Sequence, residues 1–139
     1  MLTVLTAHLA QAYGMCGQVD KAFAALAEAT ALVENTGERI YEAELYRLKG
    51  ELTLKGPDNT NSKVEEAEKY FRQAIEVARR QSAKSLELRA TTSLARLLAE
   101  QGRRNEAHPM LAEIYNWFTE GFDTGDLKEA KALLDELRR

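Results

Sequence analysis

Apolar residues recur at three- and four-residue spacing along nearly the whole chain, and no run alternates with the period of a strand. The clearest stretch lies between Ser85 and Tyr115. It reads Thr91-x2-Leu94-Ala95-x2-Leu98, a break at Gly102, then Ala107-x3-Leu111-x2-Ile114. Small side chains let two antiparallel helices approach closely, and large ones fill the grooves beside them. The same construction stands near the start as Leu9-Ala10-x2-Tyr13 followed by Ala22-x3-Leu26-x2-Ala29. In both copies a glycine, Gly17 or Gly102, precedes the first ladder alanine by five residues. A third ladder, Ala67-x3-Phe71-x2-Ala74, lies between them.

These patterns predict seven helices. The first runs from about Leu2 to Met15 and stops at Gly14 and Gly17. The second carries Ala22, Leu26 and Ala29 and frays near Asn35-Thr36-Gly37. The third spans roughly Arg39 to Leu54, and a turn follows at Gly56-Pro57-Asp58-Asn59. Ser62 with Glu65 has the form of a capping box for the fourth. The fifth starts near Ser82 or Ser85 and ends at Gln101-Gly102. The sixth starts near Asn105, with Pro109 tolerable in about its first turn. Gly121 to Gly125 connect it to the last helix, for which Asp126 and Glu129 form a capping pair; Leu127, Ala130, Leu133, Leu134 and Leu137 line one side of that helix.

The large-small pair followed by a small-large-small ladder resembles the tetratricopeptide (TPR) repeat. The ladder alanines Ala22, Ala67 and Ala107 are 45 and 40 residues apart, longer than the TPR period of about 34 and within the HEAT-like range. An insertion around residues 55–61 accounts for part of the excess, and such insertions cost little. The local motif favours TPR over HEAT. The expected fold is all-α: one TPR-like α-solenoid domain over residues 1–139, built from three antiparallel hairpins at about 2–36, 39–81 and 84–120 and a capping helix at about 126–138. A last helix with one polar face suits a solenoid terminus. The first helix has no such face, so the chain is expected to be the end of a longer array or to bury that helix in a homodimer.

Three stretches carry a narrower resemblance: residues 37–52 (GERIYEAELYRLKGEL), 83–90 (AKSLELRA) and 117–130 (WFTEGFDTGDLKEA). They resemble the C-terminal TPR region of large bacterial signalling proteins that join a class III adenylate/guanylate cyclase-like or other output domain to a predicted ATPase module. The resemblance implies a sensory or scaffold segment that binds a protein or peptide, with nucleotide chemistry elsewhere. No Gly-x4-Gly-Lys-Ser/Thr loop is present to hold phosphates, and no cofactor is implied.

Composition narrows the function classes. The chain is 45% apolar and 29% charged, with a formal net charge of -3 and interleaved signs. That balance offers no footprint for nucleic acid. No apolar run approaches membrane-spanning length, and the opening Met1-Leu2-Thr3-Val4-Leu5 lacks the basic start of a secretory signal. A single cysteine, Cys16, suits a reducing compartment, so a cytoplasmic location is expected. His8 and His108 have no ligand-spaced companions. Glu65, Glu66 and Glu68 suit a solvated helix start. No catalytic constellation appears, and the chain reads as a non-enzyme.

In TPR arrays the first helix of each hairpin lines a concave groove. The resemblance places Val4, Ala7 and Gln11 there, then Ala43, Tyr46 and Gly50, then Arg89, Thr92 and Arg96. The lysine-asparagine clamp of chaperone-tail binders is missing. The candidate partner-binding residues are Gln11, Tyr46, Arg89, Thr92 and Arg96. Arg89 and Arg96 are two turns apart on one face and suit a carboxylate or phosphate of a peptide. The plainer expectation pairs Arg96 with Glu100 on the same helix. Tyr115, Trp117, Phe118 and Phe122 are expected to form the seam between the last two helices rather than an open patch. The alternative function is a small-ligand or enzymatic site between hairpins.

Overall fold

A computed structural model describes residues 19–36, 42–55 and 60–138. The predicted first helix, with Val4, Ala7, His8 and Gln11, lies outside the described residues, as do Cys16 and the turns at Gly37 and Gly56-Pro57. Six helices follow in order: α1 Val19–Thr36, α2 Glu42–Leu54, α3 Asn61–Arg80, α4 Lys84–Glu100, α5 Arg104–Trp117 and α6 Gly125–Leu137. Each helix packs on the next. In addition α2 touches α4 and α4 touches α6, so the first helices of successive hairpins lie side by side.

The ladder alanines hold this stack together. Ala22, Ala67 and Ala107 are fully buried, as are Ala74, Leu94, Ala95, Leu98 and Leu111. One continuous apolar core runs through α3, α4, α5 and α6. Leu45, Leu48 and Leu52 of α2 join Ala22, Ala25 and Leu26 of α1 in a second cluster, and Ala43 joins Val77 and Ala78 in a third. Burying a Leu or Phe side chain contributes about 1.5–3 kcal/mol.

Several helix ends differ from expectation. The cap of α3 is Thr60, whose hydroxyl accepts from the Lys63 N–H at 3.3 Å; Ser62 already lies inside the helix. Before α6 stands Thr124, with no side-chain cap bond, its hydroxyl donating to the Gly121 carbonyl at 2.7 Å; Asp126, the expected cap, lies inside the helix and is held by Arg89. Ser82 does not start α4. It ends α3 in a left-handed conformation, φ 55°, and Ala83 N–H donates to the Ala78 carbonyl at 2.9 Å. Gly102 ends α4 in the same way, at φ 75°, with Arg103 N–H donating to the Leu98 carbonyl at 2.8 Å. Both turns close a helix by the six-to-one bond that a left-handed residue permits. Pro109 stands at the sixth position of α5, beyond its first turn, exposed and without an N–H for the Asn105 carbonyl.

Candidate functional site

The side-by-side helices α2, α4 and α6 present the face on which a partner was expected. Close approach of α2 to α3 occurs at Gly50, which is buried against the ring of Phe71. Gly50 therefore has the small-residue role that Ala95 has in α4, and the alignment that placed Gly50 in the groove is one residue out of register. Ala43 is buried beside Val77 and Ala78. Tyr46 is half-buried and packs against the core between hairpins, with Lys49 Nζ 5.4 Å above its ring. The residues one place further along, Glu44, Arg47 and Glu51, face α4.

The face is a row of compensated charges. Arg47 Nε donates to Glu44 Oε1 at 3.0 Å, and its Nη1 lies 3.7 Å from Glu51. Glu51 Oε1 accepts from the Ser93 hydroxyl at 2.8 Å. Arg89 binds Asp126 through Nη2 at 3.0 Å and through Nε at 3.3 Å, and its Nη1 is 3.4 Å from Glu44. Arg96 pairs with Glu129. Burial lowers the proton affinity of Arg89, but its bonds to Asp126 and Glu44 outweigh that and raise it, so its charge is fixed. Glu44 Oε2 is buried without a hydrogen-bond partner.

Of the anticipated site residues, Arg89 and Arg96 stand on this face and close on α6 rather than on a partner. The expected Arg96–Glu100 pair gives way to Arg96–Glu129. Thr92 is buried, and its hydroxyl donates to the Leu88 carbonyl at 2.8 Å. A cavity of about 40 Å³ remains between Arg47, Arg89, Arg96, Asp126 and Glu129. A larger one, about 390 Å³, opens beside it where α2 ends and α3 begins. Leu54, Val64, Phe71 and Leu97 form its apolar lining, and Glu51, Lys55, Arg96 and Glu100 its charged one. Glu44, Arg47, Glu51, Asp126 and Glu129 are missing from the sequence-based set. Asp126 and Glu129 are three apart on one helix face whereas Arg89 and Arg96 are seven apart, so spacing along the chain did not announce the pairing.

Elsewhere, Glu68 pairs with Arg72 at 3.0 Å and Arg103 at 2.8 Å. Arg138 Nε lies 3.4 Å from His108 Nε2. Among the described residues no group of three or more His, Cys, Asp or Glu side chains is placed to hold a metal ion. The aromatic cluster divides. Tyr115 and Phe118 pack on the core, whereas Trp117 and Phe122 are exposed, which corrects the expectation of a closed seam: α6 meets α5 through its leucines and leaves these two rings outside.

The family model of the tetratricopeptide repeat matches residues 88–115, from the second turn of α4 to near the end of α5. No curated protein and no solved structure matches the chain. With six helices stacked hairpin upon hairpin and this repeat at its centre, the described part of the chain is an all-α, TPR-like solenoid.

Proposed function

We propose that the chain is a non-catalytic interaction module that holds a peptide or protein segment against the face formed by α2, α4 and α6. TPR repeats generally mediate protein–protein contacts. The observation that carries the reading is the alignment of those three helices with Arg47, Arg89 and Arg96 interleaved among Glu44, Glu51, Asp126 and Glu129. Because each charge is already compensated, an incoming segment exchanges ion pairs rather than filling an empty charged site. Such exchange contributes specificity more than affinity, and the 390 Å³ cavity beside it offers a seat for an apolar side chain that supplies affinity.

The three stretches that resemble cyclase- and ATPase-linked bacterial signalling proteins support a place as their sensory or partner-recruiting portion, in the cytoplasm. No helix among the described residues is long and apolar enough to cross a membrane. The second reading, a small-molecule site, is favoured by the same cavity, where Glu51, Lys55, Arg96 and Glu100 converge.

The test places a photocrosslinking residue at Lys55, beside the cavity, or at Glu76, on the exposed surface of α3. Interaction through the face gives a crosslinked partner from position 55 and none from position 76. Recovery falls when Arg89→Ala and Arg96→Ala are combined. Crosslinking only from position 76, or recovery unchanged in the double variant, rejects the proposal.

A further inference from the structure

The connector between α5 and α6 forms a knob that the fold leaves uncovered. Trp117 is 56% exposed and Phe122 45%. They stand five residues apart, one at the end of α5 and one in the connector, with Glu120 and Asp123 between and beside them. The knob is nevertheless ordered. The Thr124 N–H and hydroxyl both donate to the Gly121 carbonyl, at 2.9 and 2.7 Å. Tyr115 and Phe122 lie 5.8 Å apart, centre to centre, and Trp117 meets Phe118 edge-on at 5.1 Å. Side chains already fixed in this way lose little further entropy on binding.

The charges around the rings select the occupant. Glu120 and Asp123 are exposed, and neither forms an ion pair among the described residues. Lys84 Nζ, which also reaches Glu87 at 3.5 Å, stands 5.6 Å from the centre of the Trp117 ring. The indole face thus already receives a cation from its own chain. A second copy docked knob to knob would bring the same two carboxylates against Glu120 and Asp123, and a polyanion would be repelled.

We infer that this knob docks a basic segment of a partner protein that also carries an apolar side chain. An arginine or lysine of that segment takes the indole face of Trp117 in exchange with Lys84, its apolar neighbour covers Phe122, and Glu120 and Asp123 supply the countercharge. Cation–π pairing strengthens as the pair is desolvated, so the apolar neighbour and the cation reinforce one another.

Trp117 is the single tryptophan, and its emission reports on the knob directly. The probes are a synthetic amphipathic helix bearing arginine on one face and leucine on the other, and the same peptide with glutamate for arginine. The basic peptide shifts the emission saturably, and Glu120→Gln combined with Asp123→Asn weakens its binding about tenfold. Phe122→Ala does the same, and the acidic peptide has no effect. All three substitutions are at exposed positions, so circular dichroism stays that of the parent. Arg89→Ala with Arg96→Ala leaves the response intact, which separates this surface from the helical face. No saturable shift, an equal shift with the acidic peptide, or unchanged affinity in the double carboxamide variant overturns the inference. So does an emission change that depends on protein concentration alone, which would assign the knob to a second copy.

Discussion

The ring of Phe71 lies against the backbone of Gly50, so close that a β-carbon on Gly50 would stand 2.5 Å from ring Cε1 and 2.7 Å from Cδ1. Phe71 is itself buried and cannot swing aside. This one contact fixes which residues of α2 reach the core and which face α4.

Gly50→Ala is therefore expected to destabilise the protein by about 1–3 kcal/mol through overpacking, although alanine is the better helix former by roughly 1 kcal/mol. Combining it with Phe71→Leu should recover part of the loss, because the smaller side chain admits the methyl group. Urea unfolding of the two single variants and the double variant measures both effects. A Gly50→Ala protein more stable than the parent would contradict the close approach.

Ser82 and Gly102 occupy equivalent left-handed positions, φ 55° and 75°, at the ends of α3 and α4. A residue with a β-carbon is strained there by roughly 1–2 kcal/mol. Ser82→Gly should raise stability by about 1 kcal/mol, and Gly102→Ala should lower it by a similar amount. Nothing stands within 4 Å of a β-carbon at Gly102, so that loss would be conformational. Thermal unfolding of both variants gives the two signs; a Ser82→Gly protein no more stable than the parent would refute the equivalence of the turns.

Arg89 and Asp126 join α4 to α6 across 37 residues of sequence. Their side chains are 40% and 33% exposed, so the pair contributes little, on the order of 0.5–1 kcal/mol, and is screened by salt. A double-mutant cycle of Arg89→Ala and Asp126→Ala should show that coupling in dilute buffer and lose most of it at about 1 M salt, where screening acts within roughly 3 Å. Zero coupling at low ionic strength would mean that this pair adds nothing to the hold on α6.

The Arg103 guanidinium, hydrogen-bonded to Glu106, holds that carboxyl below the usual range. The folded value is depressed, so the contribution to stability is present above the unfolded pKa and is lost as pH falls through the folded one. An NMR titration should place the Glu106 midpoint below that of an ordinary glutamate, and Arg103→Gln should move it up. A midpoint indifferent to Arg103→Gln would exclude the pairing.

The sequence alone determined the helices and their buried stripes. A period of 3.6 puts Ala67, Phe71 and Ala74 on one side of α3 whatever surrounds it, and Ala22, Ala67 and Ala107 are all buried as the ladders required. Helix ends were harder to read. Thr60 and Ser62 have equal capping chemistry, and only the path of the chain into α3 selected Thr60. Contacts between helices lay further out of reach. Lys49 and Gly50 are neighbours, and the sequence alone could not say which of them meets α3. Phe71 decided it, because a lysine side chain has no room where its ring lies. The same holds for Arg89 and Arg96, whose carboxylate partners lie 37 and 33 residues away. Helical periodicity acts over four residues and fixes each face; the pairing of faces depends on how large and small side chains interlock once the hairpins stack, and that information exists only in three dimensions.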